Sequence, residues 1–270
     1  MNSEEIVTPD GVLLHLDDAG GSGLPVFFQH GLCGDANQTR QTFPPDARFR
    51  RLTLEMRGHG RSAAGELFRL SIATFADDLS RTIEALKLAP VVLGGISMGA
   101  AISLRLAVRR PELVCGLVLA RPAWFTDDNP ANMRPNAEVG ELLEQMDPTP
   151  AEAVFLASET ARRLEREAPD NLASLKEFFH RPDLVSTAAL LKSISADGPG
   201  ASLDEVRALR VPTLVIGHKR DLIHPLTLAH ALADAIPGAR FVEIAPKADD
   251  RDRYLAEFQQ ALTTFFEERL

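Results

Sequence analysis

Short apolar runs alternate with helix-period segments through the first part of the chain. VLLHL (Val12 to Leu16) predicts an early strand, followed by the turn DDAGGSG. VFFQH (Val26 to His30) and RLTLEM (Arg51 to Met56) are compact runs of strand length. FADDLSRTIEALKL places Phe75, Leu79, Ile83 and Leu86 at helical spacing. VVLGG then predicts a buried strand. MGAAISLRLAVRR (Met98 to Arg110) predicts a helix rich in small residues and stopped by Pro111, and VCGLVLA (Val114 to Ala120) a further strand. Strands alternating with helices imply βαβ units, hence an α/β fold with a mostly parallel sheet and helices on both faces.

The rhythm changes after Trp124. AEVGELLEQM, AEAVFLASETARRLE, NLASLKEFF and DLVSTAALLKSI are helical patterns broken by prolines, with no strand-like run between them. This predicts a helical insertion between two sheet strands, over 124–205, with the sheet domain formed by 1–123 and 206–270. The strand rhythm returns with PTLVIG (Pro212 to Gly217) and ARFVEIA (Ala239 to Ala245). PLTLAHALADAI reads as a helix between them, and YLAEFQQALTTFFEE as a closing amphipathic helix. AGGSG is glycine-rich, but no helix follows it to receive a phosphate, so it reads as a hairpin turn.

Composition narrows the function classes. The 270 residues are 45% hydrophobic and 25% charged, as expected of a globular chain without biased tracts. A formal net charge of −9 argues against a nucleic-acid or anionic-membrane surface, and more weakly against a strongly anionic substrate. The expected partner is a small molecule; the oligomeric state is left open. Cys33 and Cys115, the two cysteines, cannot build a disulfide framework or a multi-cysteine metal site, and read as buried free thiols. The acidic start MNSEEIVTPDG has no basic and apolar leader pattern, which places the protein in the cytoplasm by default. Paired aspartates such as Asp77-Asp78 read as solvated faces or helix starts. His218, His224 and His230 match no metal-ligand spacing, so neither a metal nor another cofactor is expected.

The chemistry concentrates in GGISMG (Gly94 to Gly99). Gly95-x-Ser97-x-Gly99 lies between a buried strand and a helix. A sharp turn there thrusts the hydroxyl above the sheet, and small neighbours let the backbone pass on both sides. The helix N-terminus adds free N–H groups and a positive dipole end, favourable to a developing oxyanion. FFQHGLCGD places His30-Gly31 at the end of an earlier strand. On these residues the chain resembles the α/β-hydrolase superfamily. The resemblance implies an oxyanion hole from the N–H groups of Leu32 and Met98 around a Ser97 nucleophile. MRGHGRS (Met56 to Ser62) is similar to a third recurring turn, although Glu55 stands where the family usually has Asp. The resemblance also implies that the insertion is a cap roofing a substrate pocket, with His30, Trp124 and Phe125 as pocket residues. Phe155, Phe178 and Phe179 are further candidates. Asp221, after PTLVIG, stands where the triad acid commonly falls.

The proton acceptor is missing from its expected place. The family's histidine follows the last strand, and that slot falls on or near Asp249, in APKADDRDR. No histidine follows His230. Serine is a poor nucleophile without a base. Three explanations stay open: a relocated histidine (His224 first, then His218 and His180), Asp249 acting as a weak base, or a site that binds without turnover. The resulting expectation is a serine hydrolase of esterase or lactonase type. It would act on a small carboxylic ester, thioester, lactone or related acyl bond. The alternative is a hydrolase-like protein that binds or senses a small apolar ligand.

Overall fold

The structure, a computed structural model, describes residues 2–269. Its strands are β1 (Asn2–Val7), β2 (Leu13–Asp18), β3 (Leu24–Gln29), β4 (Phe49–Leu54), β5 (Val91–Ile96), β6 (Val114–Ala120), β7 (Thr213–Gly217) and β8 (Arg240–Glu243). They form one eight-stranded sheet in the order β1-β2-β4-β3-β5-β6-β7-β8. β2 runs antiparallel to β1 and β4, and every pairing from β4 across to β8 is parallel. Helices α1 (Ala36–Thr42), α2 (Ile72–Ala85) and α3 (Met98–Arg109) join the early strands. Six more, α4 (Arg134–Gln145), α5 (Pro148–Leu156), α6 (Glu159–Glu167), α7 (Pro169–Phe178), α8 (Leu184–Ser195) and α9 (Leu203–Ala208), lie between β6 and β7. α10 (Leu226–Ala235) and α11 (Arg251–Arg269) complete the chain. Among the described residues, no helix is long and apolar enough to cross a membrane.

Alternation along the central strands sorts their side chains into two cores. Phe27, Leu93, Leu117, Leu119 and Val215 point to the face covered by α2, α3 and α10, in a core that continues into the helical insertion. Val26, Phe28, Val92, Val118, Leu214 and Ile216 point to the other face, under Phe258, Leu262 and Phe265 of α11. Both faces of a parallel sheet must be covered, which explains why these strands are apolar throughout. α3 packs on β3, β5 and β6. Its Gly99 makes the closeness possible: a Cβ there would lie 2.5 Å from the Gln29 carbonyl oxygen.

Three expectations need correction. NSEEIV, read as a polar start, is edge strand β1, paired with β2 from Asn2↔Asp18 to Val7↔Leu13. Strand pairing uses backbone groups, so an edge strand needs no apolar run. AGGSG is not a hairpin turn, because β4 lies between β2 and β3 and the two are not paired. Cys33 and Cys115 are free, but half-buried rather than buried.

Candidate active site

Five loops meet at the C-terminal edge of the sheet, where open α/β sheets bind ligands. Gly31 and Leu32 follow β3, Ser97 follows β5, Arg121 follows β6, Asp221 and His224 follow β7, and Lys247 follows β8. Backbone bonds knit these ends together: Ser97 N–H donates to Ala120 O at 2.9 Å and Arg121 N–H to Ile216 O at 2.7 Å.

Ser97 has φ 57° and ψ −111° and is 7% exposed. A non-glycine residue held at positive φ costs on the order of 1–3 kcal/mol and needs its surroundings to enforce it. The enforcement is visible at the two glycines. A Cβ on Gly95 would lie 2.6 Å from the Gly99 carbonyl carbon, and one on Gly99 only 2.5 Å from Gln29 O. Although Ser97 begins α3, its side chain makes no capping bond to that helix. Its hydroxyl is therefore not occupied as an ordinary N-cap.

Ser97 lines a half-open cavity of about 90 Å³. Gly31 and Leu32 form one side, and an added Cβ at Gly31 would sit 3.5 Å from Ser97 Cβ. Met98 N–H belongs to the first helical residue and has no intrahelical acceptor. Among the described residues, neither it nor Leu32 N–H donates to another protein group. His224 reaches the same cavity, and its Nδ1 lies 2.9 Å from both carboxylate oxygens of Asp221. The His224 backbone N–H also donates to Asp221 Oδ1 at 2.9 Å. An Nδ1–H held by the carboxylate leaves Nε2 as the acceptor.

Arg121 completes this cluster and was not foreseen from the sequence. Its Nε and Nη2 donate to Asp221 Oδ2 at 2.9 and 2.7 Å, and Nη2 lies 3.4 Å from His224 Nδ1. Asp221 is held well below the usual carboxylate range: His224 and Arg121 outweigh the opposing effect of burial. His224 is held below the ordinary imidazole value by burial, with Arg121 acting in the same direction and Asp221 opposing. A neutral imidazole beside an ionised carboxylate can accept a proton from an attacking hydroxyl.

The remaining predicted residues fall elsewhere. His218 is buried with Nε2 3.6 Å from Asp221 Oδ2, packed edge-on against Tyr254, and does not line the cavity. His180 is 61% exposed at its side chain and pairs with Glu152. Asp249 pairs with Arg220, both about half-exposed, and does not reach the serine. The cavity residue contributed by that loop is Lys247. His30, Trp124 and Phe125 do not line the cavity either. His30 Nε2 accepts from Met56 N–H at 3.1 Å and its Nδ1 donates to Gly31 O at 2.9 Å, which makes it a brace for the turn. The Trp124 indole N–H turns away to donate to Asp197 O at 2.8 Å. Phe155 and Phe179 pack on each other, their ring centroids 5.9 Å apart, whereas Phe178 is in the cavity wall. The roof comes from Asn136 on α4 and Asn171, Ser174, Leu175 and Phe178 on α7.

A larger apolar hollow of about 500 Å³ lies at the opposite sheet edge, bounded by Val108, Val114 and Pro212, and shares no residue with the serine site. Among the described residues, no group of three or more His, Cys, Asp or Glu side chains could hold a metal.

The arrangement has relatives. A family profile described as the alpha/beta hydrolase fold matches residues 25–249. The chain is 30% identical over 234 residues to a Mycobacterium tuberculosis protein named for non-heme bromoperoxidase activity, BpoC, covering 84% of this chain and 87% of that one. It is also 30% identical over 196 residues to a Rhizobium rhizogenes protein named for carbamate hydrolase activity, RutD, covering 71% and 72%. The crystal structure of the enol-lactonase from Burkholderia xenovorans LB400 has the same fold, with a TM-score of 0.74 at 24% identity over 98% of this chain and 100% of that one. Profile, relatives and sheet order agree: the chain belongs to the α/β-hydrolase fold family.

Proposed function

We propose that the protein is a serine hydrolase acting on a small carboxylic ester, thioester, lactone or related acyl bond. The observation that carries this reading is the convergence of a strained, uncapped Ser97 and an Asp221-bound His224 on one cavity. In the mechanism, His224 Nε2 takes the proton as Ser97 Oγ attacks the carbonyl carbon. The N–H groups of Leu32 and Met98 hold the oxyanion. His224 then returns the proton to the leaving group, and water attacks the acyl-serine with His224 again as base. Asp221 keeps the imidazole in the working tautomer and stabilises its charged form. Arg121 is a positioning residue that fixes Asp221.

The histidine thus sits three residues after the acid, on the β7 loop, rather than on the β8 loop. One carboxylate can hold Nδ1 from either loop, because both leave the same sheet edge. The helices over the cavity act as the cap that limits substrate size. The half-polar lining of the cavity speaks against a site for a purely apolar ligand. The relatives carry names for different reactions, so the substrate class rests on this geometry alone.

The test is steady-state hydrolysis of a series of short-chain p-nitrophenyl esters. Wild-type turnover should fall at least a thousandfold in both Ser97→Ala and His224→Ala. Equal turnover in wild type and Ser97→Ala would remove the serine mechanism.

A further inference from the structure

The net charge of the chain disfavours an anionic ligand, but the hydrogen-bonding inventory of the cavity points the other way. Two of the amides in its wall have fixed orientations. Gln38 Oε1 accepts from Gly31 N–H at 2.7 Å. Asn171 Oδ1 accepts from both Leu222 N–H and Ile223 N–H, at 2.8 and 3.2 Å. With their oxygens committed to the backbone, these side chains present NH₂ donors as their remaining polar groups. Lys247 adds a third donor: its Nζ holds Asp170 Oδ1 at 2.7 Å, which uses one of the three ammonium protons. Asn136 lines the same wall, and its Oδ1 is buried without a protein partner. Gln38, Asn171 and Lys247 therefore bring three donor side chains to the cavity wall, against acceptors at Asn136 Oδ1 and His224 Nε2.

We propose that the site selects acyl substrates bearing a carboxylate, anchored by the Lys247 ammonium with the amide groups of Gln38 and Asn171 around it. Each carboxylate oxygen accepts more than one hydrogen bond, so one group satisfies donors that a hydrocarbon would leave unpaired. At about 90 Å³ the cavity suits a short-chain acid rather than a long acyl tail. The local arrangement overrules the overall charge because Lys247 and Arg121 in the cavity wall balance the neighbouring Asp170 and Asp221, whereas most of the surface acids are screened. Lys247 is thus a specificity residue supplied by the loop that lacks the family's histidine.

This inference rests on the serine-hydrolase reading for its term "substrate", but binding can be tested without turnover. Succinate and its neutral counterpart succinamide are titrated into the Ser97→Ala protein by calorimetry, and into its Lys247→Met and Lys247→Arg derivatives. Circular dichroism checks that each is folded. The expected result is binding of succinate at least tenfold tighter than succinamide. That preference should be lost in Lys247→Met and partly kept in Lys247→Arg. Equal binding of the two ligands, no binding of succinate, or an unchanged preference in Lys247→Met would each overturn the inference. Equal ester turnover in wild type and Ser97→Ala, with the succinate preference intact, would overturn only the hydrolase reading.

Discussion

Two glycines at the site make opposite demands, and alanine at each gives a separable outcome. A methyl at Gly99 would lie 2.5 Å from Gln29 O and 2.8 Å from Gln29 C, about 0.5 Å inside the 3.0 Å that real Cβ contacts respect. Both atoms are backbone of the central strand β3, so neither can swing aside. Either α3 or the end of β3 must move. Overpacking of this kind costs about 1–3 kcal/mol, which for a chain of this size corresponds to a Tm lower by roughly 2–12 °C. A methyl at Gly31 meets Gln38 Oε1, Ile96 O and Ser97 Cβ, each at 3.5 Å, which is ordinary contact. Stability there should change by no more than about 0.5 kcal/mol. The same methyl intrudes on a cavity of about 90 Å³ between the serine and the Leu32 amide. A misfit of one carbon in a pocket is worth roughly 10- to 200-fold in kcat/KM. Calorimetric melting paired with ester hydrolysis reads both quantities. Gly99→Ala should melt early, whereas Gly31→Ala should melt like wild type and turn over poorly. If Gly31→Ala melts as early as Gly99→Ala, or hydrolyses esters at the wild-type rate, the packing of this loop against Ser97 is wrong.

The other expectations concern titration and the outlying acid. Burial, aided by Arg121, pushes His218 down from 6.5 to about 4. A histidine depressed in the folded state stabilises above its unfolded value and loses that contribution as pH falls through the folded value. The unfolding free energy from urea titration should therefore drop between pH 6.5 and 4, by about 3 kcal/mol for His218 alone, and the midpoint with it, with His30, His59 and His224 adding in the same direction. A flat midpoint across that range would contradict the burial of these rings. Turnover should rise with pH as His224 loses its proton and level off above an inflection on the acid side of 6.5. Arg121→Gln removes a cation 3.4 Å from Nδ1 and should move the inflection to higher pH; a shift to lower pH would refute the assigned role of Arg121. Asp249→Ala breaks only a half-exposed pair with Arg220, so stability should change by less than about 1 kcal/mol and ester hydrolysis should stay at the wild-type level. A large loss of activity would return Asp249 to the site.

What the sequence disclosed was local. The Gly95-Ser97-Gly99 turn, the Gly31-Leu32 step and Asp221 were legible because a tight turn constrains residue types within a few positions. His224 was the leading candidate for the same reason, three residues from its acid. The misreadings are tertiary. β1 has no apolar alternation and is defined by pairing with β2, while AGGSG resembles a hairpin because nothing local shows β4 entering between its flanking strands. Arg121 and Lys247 follow strands distant in sequence, and they share the cavity wall only because the strand ends meet. The available signal for Arg121 was a charged residue directly after the apolar run VCGLVLA, at a strand's C-terminal end. Trp124 and Phe125 follow the same strand, which by sequence alone puts them beside the pocket, but the indole bond to Asp197 turns Trp124 away.

The central claim is that Ser97 is activated by a histidine supplied from the β7 loop. Time-resolved mass spectrometry of the protein reacting with a fluorophosphonate, followed by peptide mapping, measures this directly. The account predicts one adduct, on Ser97, formed at least a hundredfold more slowly in His224→Ala than in wild type or Asp249→Ala. Labelling of Ser97 at the wild-type rate in His224→Ala, or an adduct on another residue, would contradict it.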